Sequence, residues 1–288
     1  MTNTGILTVQ DLTTAGLISW WRLSGSLPCA RLEMVWETAG LDPKLLPHPP
    51  SPKVALGRTA AAAAKQLPVK ARAHPLDGAR GGWAIVVQSA QAQLGSAWGS
   101  VVATLRLGDG GKLVAEIEPE YQERLAVWLP IFFEDAQQTL AVEDISAWLT
   151  WRAKELHAVA LRDTGGVYFI PETDTAAYRA TAAAIESASD HKLYEVPAVK
   201  TEKAVEAILA AVIAESDAIV TELETEIDTT ELGPRALGSR RALCGEILTK
   251  VEKYEGLLGR SMISIRDRIE GLRAIIVEAE LAASVKTA

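Results

Sequence analysis

Two long amphipathic stripes near the C-terminus constrain this chain more than any other feature. Val205, Ile208, Leu209, Val212, Ile219, Val220, Leu223 and Ile227 recur at helical spacing and predict a helix of about five or more turns. Leu243, Ile247, Val251, Tyr254, Leu258, Ile265, Ile269, Leu272 and Ile276 then step mostly by fours and threes, as a coiled-coil seam does. Thr229 to Pro234 separates the two helices, and Gly256 and Gly259 predict a kink in the second. Such rods cannot stay exposed. They must close on each other, on the rest of the chain or on another chain.

Charge supports a paired arrangement. From Thr201 to Glu231 there are nine acids against Lys203 alone, whereas Gly233 to Arg273 holds nine cations and five acids. An acidic helix followed by a basic one suits an antiparallel pair. The seam positions Ile247, Val251, Tyr254, Leu258, Ile265, Ile269 and Leu272, with Arg240 and Arg241 as charge partners, are the candidate surface for a protein partner or a second copy.

Upstream, residues 1–199 read as an α+β head and residues 200–288 as a helical hairpin. Asp11 reads as the N-cap of a short helix whose stripe is Leu12, Ala15, Leu17, Ile18 and Trp21. A proline-rich connector, residues 46–53, leads to a helix around Ala60–Ala64. Strands are predicted at 83–88, 101–107 and 112–118, the last two as a hairpin about the turn 108–111. Two helices follow between Pro119 and Glu155, then a hairpin (157–162 and 167–171, turn 163–166), a helix from Thr175 to Ser187 and a strand at 192–196. Hairpins dominate this order. It predicts an antiparallel or mixed sheet with helices on one face.

A second binding surface is legible between Ser51 and Arg80, where Lys53, Arg58, Lys65, Lys70, Arg72 and Arg80 face one acid, Asp77. With Trp83 and Trp98 nearby, it offers cations for phosphates and rings for stacking, although the net charge of −8 argues against a surface devoted wholly to nucleic acid. No helix-turn-helix, zinc-finger or RNA-recognition signature accompanies it. Trp20, Trp21, Trp36, Trp128, Trp148 and Trp151 fall in apolar helical contexts and are expected in the core.

Catalytic patterns are sparse. His48, His74, His157 and His191 have no metal-ligand spacing, and Cys29 and Cys244 read as small buried hydrophobes. Gly233-Pro-Arg-Ala-Leu-Gly238 opens a helix beside Arg235, Arg240 and Arg241, which could hold an anion but equally answers the acidic helix. Glu116 and Glu118 share a strand face, as the acids of metal-dependent nucleases do, and so do charges on any exposed sheet. No stretch approaches the roughly 20 apolar residues of a membrane span, and the first residues lack a basic signal-peptide region. The expectation is a cytoplasmic, non-enzymatic interaction protein without metal or cofactor.

The run Leu161-Arg-Asp-Thr-Gly-Gly-Val-Tyr-Phe-Ile-Pro171, followed by a helix, a strand and two long helices, resembles an uncharacterised domain family of bacterial and phage proteins over roughly Leu56–Leu281. Its crisp motif is Gly165-Gly-Val-Tyr-Phe-Ile-Pro171. The resemblance implies association with phages or mobile elements and no particular activity.

Overall fold

A computed structural model describes residues 13–77, 81–88, 99–162 and 166–286, with side chains as far as 282. The fold is α+β, and the chain divides into two compact units. One comprises the described parts of residues 1–23, 148–186 and 191–288; the other comprises those of 24–147 and 187–190.

The first unit is built on strand β1 (Thr14–Arg22), which lies between β10 (Lys192–Val199) and β9 (Val167–Pro171) in an antiparallel sheet completed by β8 (Val159–Ala160). The N-terminal segment is thus a strand from Thr14 onward, not the expected helix; Asp11 and Leu12 lie outside the described residues. Both faces of this strand are used, so no simple alternation marks it. Leu17 and Ile170 pack with Tyr178 of α5 (Thr175–Ala188) and Ala153 of α4 (Val142–Glu155). Ile18, Phe169, Val159 and Ala198 pack on the other side with the C-terminal helices.

Those helices number three rather than the expected two: α6 (Glu202–Thr229), α7 (Pro234–Leu258) and α8 (Ile263–Lys286). Gly259, at φ 64°, occupies the left-handed position that closes α7, so the anticipated kink is a full break. The expected hairpin 200–288 does not stand apart, because its apolar side chains share one core with β1, β9 and β10. The acidic and basic helices pair as their charges suggest. Arg240 donates to both carboxylate oxygens of Glu226 at 2.6 and 2.7 Å, and Arg268 of α8 spans Asp217 (2.8 Å) and Glu224 of α6.

The hydrogen bonds from Arg240 hold the Glu226 carboxyl below the ordinary glutamate value of 4.5. A carboxyl lowered on folding contributes stability that is complete above that value and is lost as the pH falls from there through the lowered value of the folded state. Urea midpoints are therefore expected to drop as the pH falls below 4.5, and to drop less in Glu226→Gln.

The second unit carries an antiparallel meander, β3 (Ala71–Leu76), β4 (Gly82–Val87), β5 (Ser100–Leu107) and β6 (Leu113–Ile117). The predicted hairpin of the last two strands is present, with Leu105 opposite Ala115 and Leu107 opposite Leu113. Strand β3 was not expected; it is an edge strand containing Pro75, which strand patterns disfavour. Helix α2 (Pro52–Gln66) starts at Ser51, whose hydroxyl accepts from the Val54 N–H at 3.4 Å, with Pro52 in the first turn. Its Ala55, Leu56, Ala60, Ala63 and Ala64 are buried with Ile85, Ala103 and Leu105 of the sheet. Helix α3 (Gln122–Gln138) adds Leu125, Leu129, Phe133 and Ala136 at helical spacing to the same core. A helix α1 (Cys29–Thr38) and a short antiparallel pair, β2 (Leu27–Pro28) with β7 (Thr139–Leu140), complete the unit.

Candidate nucleic-acid interface

Strand alternation assigns the two faces of the meander. Ala73, Trp83, Ile85, Leu105 and Leu107 face the helices, so their neighbours Arg72, His74, Ala84, Thr104 and Arg106 occupy the opposite, open face. Register arranges that face in rows. Arg72 lies beside Val86, and Val86 beside Val101. His74, Ala84, Thr104 and Glu116 form the next row. Arg106 follows, paired with Val114. A groove of about 600 Å³ runs along β3 to β5, with Lys70, Arg72 and His74 on its rim and Ala84, Val86 and Val101 in its floor.

The electrostatics of this face rest on unspent charge. Lys70, Arg72 and Arg106 are exposed and form no ion pair with a described residue. Several arginines elsewhere are consumed: Arg58 meets Asp144 at 2.7 Å, Arg240 and Arg241 meet Glu226 and Glu280, and Arg266 meets Glu255. Opposing charge on the open face comes from Glu116 and Glu118, which lie together at the β6 edge beside Val101 and Thr104, away from Lys70 and Arg72 on β3.

The basic segment is therefore split by the fold. Lys70 and Arg72 border the groove, whereas Lys53 and Lys65 are exposed on α2, the helix covering the other face. Arg58 is tied to Asp144, and Arg80 lies outside the described residues. Trp83 does not line the groove. Its ring lies on α2 so closely that a Cβ at Gly57 would come within 2.9 Å of it. Trp98 lies outside the described residues. Sequence reading missed His74 and Arg106. Both needed the sheet register to be placed, and the alternation Leu105-Arg-Leu107 was the available signal for Arg106.

The seam residues are placed differently from the expectation of a partner-binding surface. Ile247, Val251, Tyr254, Leu258, Ile265, Ile269 and Leu272 are all at most 9% exposed, packed with Ile208, Val212 and Val220 of α6 and with the β-sheet of their own unit. Their apolar faces are covered by this chain, within their own unit. Arg240 and Arg241 are likewise engaged within the unit.

Other candidates are accounted for locally. Cys244 is buried and Cys29 half-buried, and burial pushes both thiols up, away from the thiolate a nucleophile needs. His157 meets Lys253 Nζ at 3.0 Å, which in turn meets Asp174 at 2.5 Å; an ammonium only donates, so His157 Nδ1 accepts. Among the described residues, no three His, Cys, Asp or Glu side chains gather where an ion would be held. None of the described helices is long and apolar enough to cross a membrane.

Comparison with known proteins gives a family without an activity. No curated protein and no solved structure matches the chain. A family model described as "Family of unknown function (DUF6744)" matches residues 111–286, more than half of the sequence and nearly all of the first unit beyond β1. The chain belongs to that family of unknown function.

Proposed function

We propose that this protein binds nucleic acid without catalysing a reaction on it, receiving the phosphate backbone on the open face of the β3–β6 sheet. The observation that carries this reading is the set of unpaired cations, Lys70, Arg72 and Arg106, exposed on one face of the sheet, the first two bordering a floor of valine and alanine. Cations that already answer an acid contribute little to a ligand; these are free to exchange their counterions for phosphates. The floor carries no ring, so this face supplies grip rather than base readout.

Three phosphate contacts on this face contribute about −2 to the slope at which the logarithm of the binding constant for a single strand falls with the logarithm of salt concentration. Fluorescence anisotropy of a labelled oligonucleotide, titrated at several salt concentrations, measures this slope. Wild type should show that contribution, and Lys70→Glu/Arg72→Glu/Arg106→Glu should lose it together with most of the affinity at low salt. Binding that ignores salt, or a triple variant that binds like wild type, refutes the proposal. Lys53→Glu/Lys65→Glu, on the far side of the same sheet, is expected to change affinity much less.

A further inference from the structure

In the first unit, the helices cover only part of the sheet face they pack on. Ile18, Phe169 and Ala198 lie beneath α6 to α8, but Trp20, Tyr194 and Val196 on the same face remain 36%, 39% and 43% exposed. The expectation that Trp20 belongs to the core came with the misread helix; on a strand it falls beyond the helical cover. Trp20 and Tyr194 are in register across β1 and β10, and their rings stack at 5.5 Å between centroids and 20° between planes. The neighbour of Trp20 in that row on β9 is Val167, a side chain too short to cover an indole.

Two residues farther along the same strands, Arg22 and Lys192 are also in register. Alternation sets them on the face of Trp20 and Tyr194, about 6.8 Å along the strand. Both are exposed and neither forms an ion pair with a described residue. An uncovered aromatic pair costs a folded chain apolar surface left in water, and here it is bordered by two unspent positive charges.

We infer that Trp20 and Tyr194 form a stacking platform for an unpaired base of a single-stranded nucleic acid, with Arg22 and Lys192 meeting the adjoining phosphates. The base extends the existing pair of rings by one member, and the cations compensate the backbone charge it brings. Base–aromatic stacking is tolerant of sequence because every base has a π-face. A duplex keeps its bases stacked on each other, so the platform selects single strands. This inference rests on the reading that the protein binds nucleic acid, and it uses a surface independent of the β3–β6 face.

The test compares two labelled oligonucleotides of equal length, one of thymidines and one lacking bases, against the full-length protein. Wild type should bind the thymidine strand about tenfold more tightly than the abasic strand. Trp20→Ala should abolish that preference while leaving affinity for the abasic strand unchanged. Arg22→Ala/Lys192→Ala should weaken both strands by the same factor, and it keeps the rings in place should Trp20→Ala misfold. Equal wild-type affinity for the two strands overturns the platform, even where the salt dependence of the other face is as expected. A base preference that survives in Lys70→Glu/Arg72→Glu/Arg106→Glu, with no loss of affinity, upholds the platform and overturns the other face instead. No binding of either strand overturns both.

Discussion

Tyr254→Ala is expected to destabilise the first unit by about 3–5 kcal/mol, the range for emptying a buried aromatic site. The side chain is fully buried, and its ring lies 5.9 Å from that of Phe169, centroid to centroid, where α7 meets the sheet. Its hydroxyl donates to the carbonyl of His157 at 2.9 Å. His157 is the non-glycine residue with positive φ, at 55°, among the described residues, so the tyrosine also fixes an unfavourable backbone turn ahead of β8. Tyr254→Phe separates the two contributions. It keeps the ring and leaves the carbonyl without that donor, which should cost about 1–2 kcal/mol. Burial pushes the phenol well above its ordinary value, so the hydroxyl stays protonated and able to donate. Urea unfolding of the three proteins measures both steps. An alanine variant within 1 kcal/mol of wild type would mean that the seam is not core after all, and would reopen it as a docking face.

Gly16→Ala is expected to cost about 4 kcal/mol or more, in the tail of single-substitution effects. Gly16 lies where β1 bulges between its two neighbours, at φ 154°, and an added Cβ would come within 2.0 Å of the Ile170 carbonyl oxygen. That oxygen belongs to the backbone of β9 and cannot rotate aside. Relief requires β1 and β9 to separate, in the centre of the sheet on which both layers of this unit pack. Gly25→Ala is the control. Gly25 also has positive φ, 71°, but open space around it, so only the conformational penalty of about 1 kcal/mol applies. Thermal unfolding should rank the two far apart. Comparable losses would show that the close approach of β9 is not what Gly16 accommodates.

The helical seam was readable because its spacing is long and regular, and Ile247, Val251, Tyr254 and Ile269 are indeed buried. What the seam faces was not readable. The same pattern serves a partner, a second copy or the chain's own sheet, and the last depends on Phe169 and Ala198, far away in sequence. Gly259 was visible as a weakness, but its left-handed conformation made it a terminus. Strand β1 was misread for a related reason. Ala15, Leu17, Ile18 and Trp21 fit a helical stripe, and burial on both sheet faces removes the alternation that would have marked a strand.

The proposed binding surface was half visible. The cluster of cations between Ser51 and Arg80 stands out in the sequence, yet secondary structure divides it between a helix and an edge strand on opposite sides of one sheet. Arg106 completes the surface from a strand some thirty residues away, through pairing that no local pattern specifies. Trp20 was taken for core because a helical reading turned it inward; as a strand residue beside Tyr194 it is a surface group.

Hydrogen exchange of the full-length protein, with and without a saturating single-stranded oligonucleotide at low salt, tests the central claim most directly. Protection of the backbone amides of β3, β4 and β5 should rise on binding, with the seam segment of α7 unchanged. Protection confined to the α6–α8 helices, with exchange in β3–β5 untouched, would contradict it.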